Sequence, residues 1–108
     1  MSSQRHRMER FKQLIERHAV DLRHTTAGED LAPWLDGEVP LPEWVAVTRH
    51  GGDYTYLYPE ADFFAARRVA ERHMLDDIHE EQPVEVVSLD TGARWVPQSV
   101  LVNWEQLP

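Results

Sequence analysis

Between residues 3 and 24, Met8, Phe11, Leu14, Ile15, Ala19 and Leu22 recur at three- and four-residue spacing, with Arg10, Gln13, Glu16 and Arg17 on the opposite side. The pattern predicts an amphipathic helix. His18 falls on its apolar stripe, where a partly buried, hydrogen-bonded imidazole is expected. Residues 25–43 contain two glycines and three prolines without a sustained period, which predicts a long connection. Leu31, Trp34 and Leu35 have the spacing of a single helical turn inside it, and Trp34 either pins the loop to the core or serves a binding site. Residues 44–48 and 54–58 are rich in β-branched and aromatic side chains and flank Arg49-His50-Gly51-Gly52-Asp53, which predicts a β-hairpin. Along its second strand Tyr54, Tyr56 and Tyr58 point to one face, Thr55 and Leu57 to the other.

Pro59 is placed to open a second helix, with Glu60 and Asp62 in its first turn and an end near Glu81, since Pro83 cannot continue it. Its apolar surface has two stripes. Phe63, Ala66, Ala70 and Met74 make one, and Phe64, Leu75 and Ile78 make the other, so two neighbours are implied: the sheet, and either the N-terminal helix or a partner chain. Arg67 and Glu71 lie between the stripes at the spacing of a structural ion pair. Residues 84–89 form a strand, Asp90-Thr91-Gly92 a turn, and 93–96 the return strand, which Pro97 interrupts before 100–104 resumes. The elements together predict an α+β fold: N-terminal helix, β-hairpin, long helix, β-hairpin, in two or three layers around a mostly antiparallel four-stranded sheet packed by two helices. With 108 residues there is room for a single domain, divided into a basic helix (1–24), a long loop (25–43) and a ββαββ body (44–108).

Charge divides the chain unevenly. Residues 1–24 carry six basic side chains against three acidic ones, whereas residues 25–108 carry five against sixteen, for a total of −8. Either the basic helix lies on its own acidic body or a neighbour's, or it is a detachable arm. The overall sign argues against direct binding of nucleic acid or of an anionic membrane. There are no cysteines, which removes disulfides, thiolate metal sites and cysteine nucleophiles together. No apolar run approaches a membrane span, and the polar start lacks a signal-peptide core, so a cytoplasmic location is expected.

The stretch after residue 72 breaks local rules. Asp76, Asp77, Glu80 and Glu81 crowd the expected end of the second helix. Their like-charge i,i+4 pairs cost roughly 0.2–0.5 kcal/mol each, and anions at a helix carbonyl end about 0.3–1 kcal/mol each. Either the last turn frays and water solvates the acids, or a partner compensates them. Asp76, His79 and Glu80 share a helical face, but no second ligand set accompanies them, and no metal site is expected. His50 with Asp53 is a general-base pairing of a kind that six histidines make common by chance. Serine elbows, Walker-type loops and dinucleotide glycine patterns are absent, so neither catalysis nor a cofactor is expected. Trp44, Trp95 and Trp104 add aromatic surface beyond what a small core covers.

These features point to a non-catalytic interaction module or inhibitor whose acidic surface binds a basic protein, in particular the nucleic-acid-binding groove of a larger complex. Asp76, Asp77, Glu80, Glu81, Tyr54, Tyr56, Tyr58 and Trp34 are the expected partner-binding residues. Phage-encoded inhibitors such as anti-CRISPR proteins follow this logic, an analogy resting on size and charge alone. Two alternatives remain: a homodimer or larger accessory oligomer that buries its aromatic face, and a small ligand-binding domain or enzyme with a pocket under the 25–43 loop.

Overall fold

The computed structural model describes residues 4–18, 20, 31–50, 54–72, 81–97 and 104–108, of which the side chains of His50, Tyr54, Arg72, Glu81 and Gln82 are not described. Within these residues the elements are α1 (Gln4–Arg17), α2 (Ala32–Leu35), β1 (Trp44–His50), β2 (Tyr54–Glu60), α3 (Phe63–Arg72), β3 (Glu81–Ser88), β4 (Arg94–Pro97) and β5 (Trp104–Gln106). The strands form one antiparallel sheet in the order β2-β1-β3-β4-β5.

The sheet is the middle of three layers. On one side Val45, Val47, Leu57, Val87 and Leu89 meet Phe11 and Leu14 of α1, together with Leu31 and Leu41 from the connection. On the other, Ala46, Tyr56, Tyr58 and Val86 meet Ala66 and Ala70 of α3. The period-2 alternation of each strand sorts these side chains onto opposite faces, and a sheet covered on both faces reads as an almost unbroken apolar run. Three fully buried alanines, Ala46, Ala66 and Ala70, let α3 approach β1 closely.

The sheet has five strands instead of the four expected. Pro97 does not interrupt the return strand but belongs to it, paired with Trp104 of an additional antiparallel strand, β5. The second helix also starts later. Pro59 and Glu60 belong to β2, an edge strand where a proline is tolerated, and Asp62 caps α3 by accepting the Ala65 N–H at 2.8 Å. Pro83 lies in an inner strand, opposite Thr48, where the β1–β3 register shifts between Val47 and Thr48; a bulge is where a ladder can absorb a missing N–H. Glu81 is a β3 residue and not the end of a helix. The first helix ends at Arg17, with His18 in a turn and Val20 outside the helix, short of the expected end near His24. The expected helical continuation over 73–80, residues 1–3, 19 and 21–30, and the glycine turn at 51–53 lie outside the described residues.

Other expectations match. The Asp90-Thr91-Gly92 turn forms, with Gly92 N–H donating to Ser88 O at 2.8 Å and Gly92 at φ +79°. Arg67 and Glu71 pair at 3.0 Å. Leu31 is buried beside α2, and Trp34 and Leu35 pack on the α1-side core.

The basic N-terminal helix lies on its own acidic body. Arg7 donates to both Asp90 carboxylate oxygens, at 2.6 and 2.9 Å, and to Leu41 O at 2.7 Å. Hydrogen bonding to Asp90 raises the Arg7 pKa, against the opposing effect of burial. Arg10 donates to the carbonyls of Leu89 and Asp90 at 2.9 and 2.7 Å, and Gln4 exchanges two hydrogen bonds with the Leu41 backbone. Since α1 and α3 cover opposite faces, Phe64 does not meet the N-terminal helix; Leu75 and Ile78 of the same expected stripe lie outside the described residues.

Candidate functional site

Three constellations stand out, and they do different things. The first surrounds Glu85, whose side chain is 1% exposed on the α1 side of β3. Its Oε1 accepts from Arg17 and from His18 Nε2 at 3.1 Å, and its Oε2 accepts from Arg94 Nε at 2.8 Å and Nη2 at 2.6 Å. Burial pushes this carboxyl up, but the hydrogen bonds from His18 and Arg94 and the charges of Arg17 and Arg94 outweigh it, so it is held below its ordinary value. An ionised carboxylate can only accept, which fixes the proton on His18 Nε2. The expected hydrogen-bonded core histidine is therefore present, with a buried partner that spacing could not identify. Both carboxylate oxygens of Glu85 are taken up by Arg17, His18 and Arg94, an arrangement that locks the end of α1 to the sheet.

The second is aromatic. Phe63, at the start of α3, sits between Trp44 and Trp95, with ring centroids 5.2 and 5.1 Å away. Phe64 meets Phe63 at 6.0 Å, and the Arg67 guanidinium lies 5.7 Å from the Phe64 centroid. Trp104 donates its indole N–H to Glu71 at 2.8 Å. The body of α3 lies over β2, β1 and β3, while the sheet runs on to β4 and β5. Trp95, Pro97 and Trp104 share that extension and are partly exposed. Phe64 is 66% exposed.

The third is a cavity of about 450 Å³ lined by Thr91, Gly92, Arg94, Gln106, Leu107 and Pro108. It lies between the β3–β4 turn and the end of the described chain, not under the 25–43 segment. Its one guanidinium, from Arg94, is already engaged by Glu85.

The expected partner-binding residues are distributed as follows. Asp76, Asp77 and Glu80 lie outside the described residues. Glu81 opens β3, its backbone opposite His50. Tyr56 and Tyr58 lie beneath α3, at 8% and 6% exposure; Tyr54 opens β2, its backbone opposite His50 and its side chain outside the described residues. Trp34 is half-buried against the α1-side core. The structure thus does not bring Tyr56 and Tyr58 together with Trp34, because they sit on opposite faces of the sheet. It does bring together Trp44, Trp95 and Trp104, which the sequence marks as surplus aromatic surface, with Phe63 and Phe64. Among the described residues no group of three or more His, Asp or Glu side chains is arranged to hold a metal ion. No helix of the described residues is long and apolar enough to cross a membrane. Comparison with protein-family models, with curated proteins and with solved structures gives no match.

Proposed function

We propose that this chain is a non-catalytic protein-interaction module that docks on a basic surface, in particular that of a nucleic-acid-binding complex. The observation that carries the reading is the aromatic group flanking α3, where Trp44 and Trp95 pack on Phe63 and Trp104 reaches Glu71, all three tryptophans staying partly exposed. Tryptophans partly buried at one edge of a surface are the residues most often found at the energetic centre of interfaces. The net charge of −8 draws a basic partner in through long-range attraction, and the aromatic contacts then slow its release. In this reading Asp76, Asp77, Glu80 and Glu81 supply the steering charge. The conspicuous charged groups elsewhere, Arg7, Arg17, Glu85, Asp90 and Arg94, hold elements of the fold together.

Affinity capture from a lysate of the source organism or its host tests the proposal. It compares wild type, Trp104→Ala, and the variant Asp76→Lys/Asp77→Lys/Glu80→Lys/Glu81→Lys, each first shown folded by circular dichroism. A basic, nucleic-acid-binding complex held by wild type and released by both variants is the expected result. Capture of the same proteins by all three, or of none by wild type, overturns it.

A further inference from the structure

Among the described residues two large apolar side chains are exposed, Phe64 at 66% and Val39 at 38%, and each has exposed charged side chains of a different sign close by in the chain. Phe64 shares a row of α3 with exposed Arg68, with Arg67 stacked on its ring. Val39 is preceded by exposed Asp36 and Glu38. The acidic knob is held in shape: Val39 N–H donates to Pro33 O at 3.1 Å, Asp36 N–H to Ala32 O at 2.8 Å, and Gly37 turns the chain at φ +78°. The basic knob is held by the helix and by the Arg67–Glu71 pair at 3.0 Å. We infer that these knobs fit one another between copies, so that the Asp36-Glu38-Val39 turn of one copy docks on Phe64 and Arg68 of the next.

Charge complementarity selects a second copy as the occupant. The same face on an α3-to-α3 pairing would set Arg68 against Arg68, a like-charge opposition that favours the head-to-tail arrangement instead. Because the turn belongs to the α1 layer and Phe64 to the α3 layer, each docked copy keeps one knob open. Association therefore continues past a dimer as concentration rises. With one apolar anchor per side the contact is weak, in the range of transient interfaces. This contact uses neither Trp95, Trp104 nor the acidic stretch of the proposed partner site, so it stands or falls separately from that reading.

Sedimentation velocity of the full chain from about 10 μM to about 1 mM, in about 0.15 M salt so that net repulsion is screened beyond about 8 Å, tests the inference. The weight-average mass of wild type is expected to rise from 12.6 kDa without levelling at the dimer. Arg68→Glu, and separately Asp36→Arg/Glu38→Arg, should each weaken association about fivefold or more. An equimolar mixture of these two proteins should regain it, because each then offers the knob the other needs. Phe64→Ser should weaken it as well. Lys12→Glu, an exposed change of the same charge on α1, should not. A mass of 12.6 kDa at every concentration, insensitivity to Arg68→Glu, or failure of the mixture to recover overturns the inference.

Discussion

Replacing Glu85 by glutamine tests what the buried cluster contributes. The side chain is 1% exposed and accepts from Arg17, His18 and Arg94. Hydrogen bonds to a charged group are worth about 1.5–3 kcal/mol each, and breaking a fully buried pair costs about 3–5 kcal/mol. Arg17 and Arg94, however, are only half-buried and can turn toward water when the carboxylate is lost. The expected loss is therefore about 2–4 kcal/mol, which lowers the melting temperature of a domain this size by about 10–25 °C. Acid should reproduce part of this in wild type. A carboxyl whose folded pKa is depressed contributes stability that is fully present above its ordinary value of 4.5 and disappears as pH falls through the lower folded value. Urea unfolding followed by circular dichroism, at pH 7 and again near pH 3, gives both numbers. At pH 7 Glu85→Gln should be the less stable protein, and the gap should narrow at pH 3. A gap below about 0.5 kcal/mol at pH 7, or one that does not narrow in acid, would refute the reasoning.

Arg7→Ala removes a bidentate pair with Asp90 and a bond to Leu41 O, so urea unfolding should show a loss of about 1–3 kcal/mol. Gly92→Ala and Gly37→Ala both place a side chain at positive φ, but only at Gly92 does the new Cβ meet a neighbour, Arg10 Nε at 3.4 Å. Each should cost roughly 1 kcal/mol in backbone strain, with the Gly92 variant melting lower of the two. Ala70→Leu, at a fully buried α3–sheet contact, should destabilise by about 1–3 kcal/mol and enhance binding of a hydrophobic dye. Phe64→Ser should leave the melting temperature within about 2 °C of wild type, because this ring is mostly in solvent.

Local patterns are legible in this sequence to the extent that one periodicity dominates a segment. The α1 stripe from Met8 to Ile15, the alternation of Tyr56 and Tyr58 with Leu57, and the Asp90-Thr91-Gly92 turn each rest on one short-range rule, and each appears where expected. Pro59 shows the limit: as a helix opener it satisfies a local preference, but an edge strand tolerates it equally, and Asp62 supplies the cap three residues later. Glu85 left a signal in the sequence, since a charge inside the run Val84, Val86, Val87 must be paired if that strand is inside the sheet. Its partners Arg17 and His18 lie 68 and 67 residues away, beyond the reach of any spacing rule. Surplus tryptophan was readable from composition, whereas its gathering around Phe63 depends on which strands α3 covers. The facing charges of Asp36, Glu38 and Arg68 carry no sequence signature, because exposed charges obey no period.

The attachment of α1 also sets an order of events during synthesis. Its anchors on the sheet are Asp90, Leu89 and Glu85, separated from Arg7, Arg10 and Arg17 by between 68 and 83 residues. During synthesis α1 thus leaves the ribosome well before the sheet residues that clamp Arg7, Arg10 and Arg17. Until then Phe11 and Leu14 can meet Leu31, Leu41, Val45, Val47 and Leu57 but not Val87 and Leu89, and closing so long a loop is slow. The clamps on α1 therefore close late, so a nascent chain stalled before Glu85 would hold this helix by its earlier apolar contacts and by Leu41 alone.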